Sequence, residues 1–207
     1  MSGGTGGDTR PAPVIVEERG GGVAVIRINR PSQRNSLSVE TLSSIKTAFG
    51  SLSAREDIKA VVFTGAGDAF ASGADINELR TLAPDTARAF AERGQRLFQQ
   101  ISDARQLTVA AVNGYCMGGG LDLALACRVR VASHAAVFAH PGARLGIITG
   151  WGGTQRLPRL VGPARALEMF TTARRVTAAE ALEFGLVDEV AEDALARAVE
   201  TAGRRTR

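Results

Sequence analysis

Three glycine-rich stretches hold most of the groups in this chain that could do chemistry. The first is Phe70-Ala71-Ser72-Gly73-Ala74-Asp75-Ile76. Its small residues would let a ligand approach the main chain closely. If a helical turn begins at about Asp75, the N–H of Ala74 is free to donate. Asp75 itself reads more simply as a cap or salt-bridge residue. The second stretch is Asn113-Gly114-Tyr115-Cys116-Met117-Gly118-Gly119-Gly120-Leu121-Asp122. It leads from a buried-type strand into an apolar helix, and free N–H groups at such a helix start suit developing negative charge. Its spacing is not G-x-G-x-x-G, and no Gly-Lys-Ser/Thr follows, so neither a dinucleotide fingerprint nor a P-loop is present. The third stretch is Pro141-Gly142-Ala143-Arg144-Leu145-Gly146, continued by Gly150-Trp151-Gly152-Gly153. It reads as a loop feeding a helix.

Titratable side chains border these stretches. Asp122 is either an acid/base or an acid favoured by the dipole of the helix it starts. Tyr115 is a candidate proton donor beside the second stretch. His140 could titrate near neutral pH or serve in packing. Strand alternation would send residues 140 and 142 to the same side, with Pro141 as the interruption. His134 sits on a turn between strands and reads as structural or exposed. The two cysteines, Cys116 and Cys127, have no metal-ligand spacing and read as buried small hydrophobes.

The positioning elements can be read from periodicity. Val14–Glu18 and Val23–Ile28 flank Gly20-Gly21-Gly22 as a hairpin, with Val23 and Val25 on one face and Ala24, Ile26 and Ile28 on the other. Ser38 can cap a helix over about Val39–Leu52, in which Leu42, Ile45, Phe49 and Leu52 form one stripe. A strand at Lys59–Thr64, a helix at about Pro84–Ser102, a strand at Val109–Val112 and an apolar helix near Leu121–Cys127 follow. Strands are expected at Val129–Ala132 and Ala136–Phe138. Helices are expected at Gly152–Val161, at Ala164–Thr171 and after Thr177, then an edge strand at Val187–Val190 and a helix over Glu192–Ala202. This order calls for a sheet with covering helices and crossover connections.

Composition narrows the class. The chain has 207 residues, 44% apolar, 22% charged, with a net charge of +4. That suits one folded domain. A nucleic-acid binder would show a longer basic stripe or aromatics alternating with Lys/Arg, and neither is present. No secretory h-region and no 18-residue charge-free apolar run occurs, so neither membrane association nor secretion is expected, and a cytoplasmic location is.

Taken together, the three glycine stretches resemble the crotonase family, also called the enoyl-CoA hydratase/isomerase family. Arg34-Asn35-Ser36-Leu37-Ser38, Val109-Ala110-Ala111-Val112-Asn113-Gly114, and Ala179-Glu180-Ala181 through Gly185-Leu186-Val187 match as well, so the likeness runs in order from about Val14 to Val190. The resemblance implies an α/β fold with the crotonase-like (ClpP/crotonase) spiral ββα core, a mostly parallel sheet, a short perpendicular layer and outer helices. The glycines and prolines near the start make residues 1–12 a flexible tail, and the resemblance implies 13–191 as the acyl-CoA-binding core and 192–207 as a truncated helical segment with a basic end. It implies an acyl-CoA thioester whose enolate oxygen is held by the backbone N–H groups of Ala74 and Gly119. Arg34, Ser36, Ala71, Gly73, Asp75, Ile76 and Gly118 would lie around the CoA and substrate. Coenzyme A enters as part of the substrate, with no tightly bound cofactor and no metal. The family also implies a homo-trimer or dimer of trimers, held more weakly here.

The chain departs from the family pattern at two acids. A hydratase of this family uses two glutamates. The first position is Asp122, as in dienoyl-CoA isomerases. The second is Gly142, and the further acid of those isomerases falls at Gly150. One carboxylate tilts the chemistry toward isomerisation, while the resemblance as a whole tilts toward hydration. A catalytically weak acyl-CoA-binding or assembly protein is the alternative, and thioester hydrolysis with His140 or Asp122 activating water is a lesser one.

Overall fold

The computed structural model describes residues 11–205. The expected N-terminal tail lies outside the described residues through Arg10, as do Thr206 and Arg207 at the basic end. The strands are β1 (Val14–Arg19), β2 (Val23–Ile28), β3 (Ala60–Gly65), β4 (Ala69–Ala71), β5 (Leu107–Val112), β6 (Tyr115–Met117), β7 (Val129–Ser133), β8 (Val137–Ala139), β9 (Val176–Thr177) and β10 (Glu189–Ala191). The helices are α1 (Val39–Ser53), α2 (Ile76–Arg80), α3 (Pro84–Ser102), α4 (Gly119–Ala126), α5 (Gly153–Val161), α6 (Pro163–Thr172), α7 (Ala178–Glu183) and α8 (Ala194–Arg205).

Six strands form the main sheet in the order β1-β2-β3-β5-β7-β10. The β1–β2 hairpin is antiparallel and every other pairing is parallel. Strand alternation then builds two cores. Ala24, Ile26, Ile28, Val61 and Phe63 face α1, α3 and α4. Val23, Val25, Val62 and Val109 face Ala194, Ala198 and Ala202 of α8, whose i, i+4 alanines let the helix lie close to the sheet. Ser38 caps α1 by accepting from the Thr41 amide, and Leu42, Ile45, Phe49 and Leu52 are its buried stripe, as the spacing predicts.

A second sheet, in the order β4-β6-β8-β9, is built of strands two or three residues long. Periodicity could not reveal β4 or β6, because three residues carry too little alternation to register. One local expectation is overturned. After β8 the chain turns into a short 3-10 helix over Pro141–Leu145. Pro141 fixes φ and lacks an N–H, so it starts that turn rather than extending a strand, and residues 140 and 142 are not related by strand alternation.

Helix α4 connects the two sheets. Gly120 through Ala126 are all buried, so this helix runs through the core with no solvent face. It also lies hard against β4: a Cβ on Gly120 would come 2.2 Å from the Ala71 carbonyl oxygen. We expect Gly120→Ala to destabilise the protein by roughly 1–3 kcal/mol through overpacking, less up to about 1 kcal/mol regained in helix propensity. Urea denaturation checks this, and an unchanged midpoint would show that α4 and β4 are not held this closely.

Candidate active site

The first loop is tied down from two sides. Asn35, buried with φ 55°, donates from Nδ2 to the carbonyls of Ala66 (2.8 Å) and Ala69 (2.6 Å), and its Oδ1 accepts from the Arg30 amide at 2.9 Å. Asn113 Oδ1 accepts from the Gly65 amide at 3.1 Å while its Nδ2 donates to Gly67 O at 2.9 Å. These two asparagines fix the turn that sends the chain from β3 into β4. Beyond β4, Leu37 N donates to Gly73 O at 2.8 Å and Ser72 N to Arg34 O at 3.0 Å. The 34–37 segment and the 72–74 segment therefore position each other.

Ala74 precedes Asp75, which caps α2 by accepting from the Asn77 amide at 2.9 Å. Asp75 also accepts from Ser36 Oγ at 3.1 Å, so its cap and salt-bridge character is met by a cap and a hydroxyl. Gly119 is the first residue of α4, whose opening amides have no intrahelical acceptor. The N–H of Ala74 and that of Gly119 find no acceptor among the described residues. The two are near neighbours. A Cβ on Gly73 would sit 3.1 Å from Gly119 N, and one on Gly119 would sit 3.5 Å from Ala74 N. Gly73 at φ 96° and Gly118 at φ 51° turn the backbone just ahead of each amide, in a region that a Cβ disfavours.

Both amides border a cavity of about 260 Å³. Its wall is mainly apolar, with Ile76, Leu79, Phe90, Ile147, Ile148 and Trp151 contributing. Trp151 was not singled out by sequence reasoning. Its indole lies over Gly119, where a Cβ would come 2.4 Å from the ring, and it packs on Phe90 (centroids 5.4 Å) and edge-on to Phe98 (5.7 Å). The usable signal is a lone aromatic among three glycines, Gly150-Trp151-Gly152-Gly153.

The acid is placed differently. Asp122 has 0% exposure and does not line the cavity. Thr149, which does, donates its hydroxyl to Asp122 Oδ2. The other oxygen, Oδ1, has no hydrogen-bond partner and stands 3.7 Å from His140 Nε2, beyond hydrogen-bond length. Both His140 nitrogens are likewise buried and unpartnered, while the ring stacks tilted on Phe170 at 4.9 Å. Burial pushes Asp122 up to about 6. The Thr149 hydroxyl, the Trp151 amide, the Arg156 charge and the Gly153 amide pull the other way and lose. Burial lowers His140 to about 4. Each group is thus biased toward its neutral form.

The remaining candidates fall in three places. Gly118, Gly73 and Ile76 line the cavity with Ala74 and Gly119. Ser36, Asp75 and Ile76 line a shallower hollow beside it. Arg34 stands outside both, 5.8 Å over the ring of Tyr115, and Tyr115 lines neither. Ala71 is fully buried, with its carbonyl against Gly120. Gly142 and Gly150 border the cavity. Position 142 has no room for a side chain as it stands, since a Cβ would come 2.5 Å from Ile147 O, whereas at 150 the nearest atom is 3.8 Å away. Among the described residues, no group of three or more His, Cys, Asp or Glu side chains is arranged to hold a metal, and no helix is long and apolar enough to cross a membrane.

Two acceptor-free amides thus stand beside an apolar cavity, in a fold with a mostly parallel six-stranded sheet and a second sheet of short strands. The family profile described as enoyl-CoA hydratase/isomerase matches residues 18–205. The short-chain-enoyl-CoA hydratase of Clostridium acetobutylicum is 40% identical over 179 residues, covering 86% of this chain and 69% of that protein. The crotonyl-CoA hydratase of Syntrophomonas wolfei is 41% identical over 193 residues, covering 92% and 74%. Among solved structures, an enoyl-CoA hydratase from Bacillus anthracis superposes with a TM-score of 0.89 at 35% identity, over 93% of this chain and 76% of that one. One from Thermoplasma volcanium gives 0.90 at 34% identity, over 95% and 78%. This chain belongs to the enoyl-CoA hydratase/isomerase family and has its crotonase fold.

The Asp122 environment makes a pH prediction. Its folded pKa, about 6, lies above the ordinary 3.8. A carboxyl raised in the folded state stabilises the fold at low pH, and that contribution is lost as pH rises from about 4 through about 6. Asp122→Asn does not titrate there, so its stability relative to the unsubstituted protein should improve between pH 4 and 7, by at most about 3 kcal/mol. Paired urea titrations across that range measure the difference, in which the His140 titration largely cancels. A difference independent of pH would mean that Asp122 is not held in a dry site.

Proposed function

We propose that this chain acts on enoyl-CoA thioesters, binding the thioester carbonyl between the N–H groups of Ala74 and Gly119 and using Asp122 as the acid/base. The observation that carries this reading is the pair of neighbouring amides without acceptors on the cavity wall. Negative charge developing on a thioester oxygen there would satisfy both, and each such donor contributes roughly 3–4 kcal/mol in the transition state. The apolar wall suits an acyl chain, and the hollow lined by Ser36 and Asp75 suits the pantetheine end, with Arg34, Gly73, Ile76 and Gly118 near it. Coenzyme A belongs to the substrate in this proposal, with no separate cofactor.

Isomerisation of a 3-enoyl-CoA is the favoured reaction. It needs one base that removes a proton from C2 and returns it at C4. Hydration, the activity in the names of the Clostridium and Syntrophomonas relatives, would ordinarily draw on a second carboxylate. Position 142 carries none, and Ile147 closes the space for one. A second reading, an acyl-CoA binder with weak catalysis, is favoured by the sealing of Asp122 away from the cavity.

Incubation with a 3-enoyl-CoA, crotonyl-CoA and a saturated acyl-CoA, with product analysis, separates these readings. We expect turnover of the first, slower hydration of the second and no hydrolysis of the third. Asp122→Asn should leave acyl-CoA binding within about a few-fold and lower the isomerase rate by roughly 10²–10⁴. Binding without any turnover would favour the binder, and hydrolysis of the saturated ester would replace both readings.

The proposed assembly is a trimer or dimer of trimers working in the cytoplasm. Leu167 and Leu182, outside the cavity wall, are apolar and exposed, Leu167 by 62%, and side chains of this kind suit contacts between chains. The buried free thiols Cys116 and Cys127 suit a reducing compartment. Sedimentation at micromolar concentration should show a species near three or six times the monomer mass. A strict monomer that still binds acyl-CoA would contradict the assembly.

A further inference from the structure

We infer that the Thr149 hydroxyl is the catalytic group that meets the substrate, relaying its proton to and from the buried carboxylate of Asp122. This rests on the enoyl-CoA reading above. The argument begins with access. Asp122 is fully buried and takes no part in the cavity wall, so its carboxylate cannot reach a substrate carbon as the site stands. Thr149 is part of that wall and is also the residue whose hydroxyl donates to Asp122 Oδ2. The nearby alternatives fail. Gly142 and Gly150 have no side chain. His140 also borders the cavity, but both its nitrogens are buried, and its Nε2 is 3.7 Å from the unpartnered Asp122 Oδ1, beyond hydrogen-bond length. Ser72 lines the cavity too, but no hydrogen bond links it to Asp122.

The relay balances. In the forward step the C2–H bond of a 3-enoyl thioester breaks and its proton forms an O–H bond on Thr149 Oγ1. In the same step the former Thr149 proton passes along the existing hydrogen bond to Asp122 Oδ2, turning carboxylate into carboxylic acid. The electron pair moves into the thioester as an enolate, whose oxygen lies between the amides of Ala74 and Gly119. In the return step Asp122 gives its proton back to Thr149, Thr149 delivers one to C4, and the double bond lies between C2 and C3. Nothing is consumed, and both proton transfers use a single hydroxyl, which is what a site with one carboxylate can supply. The Thr149 side chain is also crowded against the start of α5, where a Cβ on Gly153 would meet Thr149 Cγ2 at 2.8 Å and Asp122 Oδ1 at 2.1 Å.

Thr149→Val keeps the shape and removes the hydroxyl, and Thr149→Ser keeps the hydroxyl and removes the methyl. The 207-residue chain is assayed with a 3-enoyl-CoA for kcat and KM across a pH series from acid to alkaline, and α-proton exchange of a saturated acyl-CoA is followed in deuterated water. Expected is a fall in kcat and in exchange of at least about 10²-fold in Thr149→Val, with KM within about threefold, and recovery to within tenfold of the unsubstituted protein in Thr149→Ser. Residual activity of Thr149→Val should rise with pH at a higher pH than before, because the lost hydrogen bond had favoured the charged carboxylate. Thr149→Val that keeps kcat within threefold, while Asp122→Asn loses it, would overturn the relay and leave Asp122 acting directly. A loss in Thr149→Ser as deep as in Thr149→Val would also overturn it, by showing that packing is what matters. An unsubstituted protein that neither isomerises nor exchanges would overturn the enoyl-CoA reading itself, and the relay with it.

Discussion

Placing two unpaired main-chain donors side by side is the constraint to which the rest of the structure answers. A main-chain donor without a protein acceptor forgoes an internal hydrogen bond worth roughly 0.5–1.5 kcal/mol, so the fold must hold Ala74 and Gly119 against the tendency of each to find a partner. Both amides therefore begin helices or stand next to a helix cap, where the helical ladder offers nothing to bond. Both follow a glycine with positive φ. The helix carrying Gly119 runs through the core with every residue from Gly120 to Ala126 buried, and Gly120 lies against the Ala71 carbonyl of β4. Hydrophobic burial along α4 thus supplies the rigidity that two half-buried amides need.

The same burial sets the character of the acid. Asp122 is on the first turn of that core helix, so it cannot reach bulk water, and its charged form is disfavoured by desolvation despite the Thr149 hydroxyl and the Arg156 charge. His140 is pushed toward neutrality in the opposite direction. The two face each other across 3.7 Å without completing a hydrogen bond. A carboxylate dried to this degree binds a proton more firmly than one at the surface.

Trp151 joins these features to the apolar cavity. Its ring fills the space above Gly119, where even a methyl group would collide, and it rests on Phe90 and Phe98 of α3. Gly94 of α3 answers it, since a Cβ there would come 2.4 Å from the indole. One aromatic residue thus sets the distance between α3 and the start of α4, and with it the width of the cavity next to the two donors.

The sequence by itself determined the hairpin, the parallel strands and the long helices, because their apolar residues repeat over enough positions to show a period. The Leu42, Ile45, Phe49 and Leu52 stripe and the alternation from Val23 to Ile28 are direct instances. It also marked the three glycine-rich stretches and the absence of a carboxylate at 142 and 150, since glycine's lack of a side chain is legible in one letter. Tertiary structure alone decided three things. The short strands β4 and β6 exist because a second sheet pairs them, and three residues carry no pattern of their own. Asn35 and Asn113 act across the chain on the same turn, 78 positions apart (113 − 35), which no local signal records. Asp122 is sealed from solvent, and the Thr149 hydroxyl that donates to it comes from 27 positions further along the chain. Whether a carboxylate touches a substrate depends on what packs in front of it, and that is fixed by residues distant in sequence.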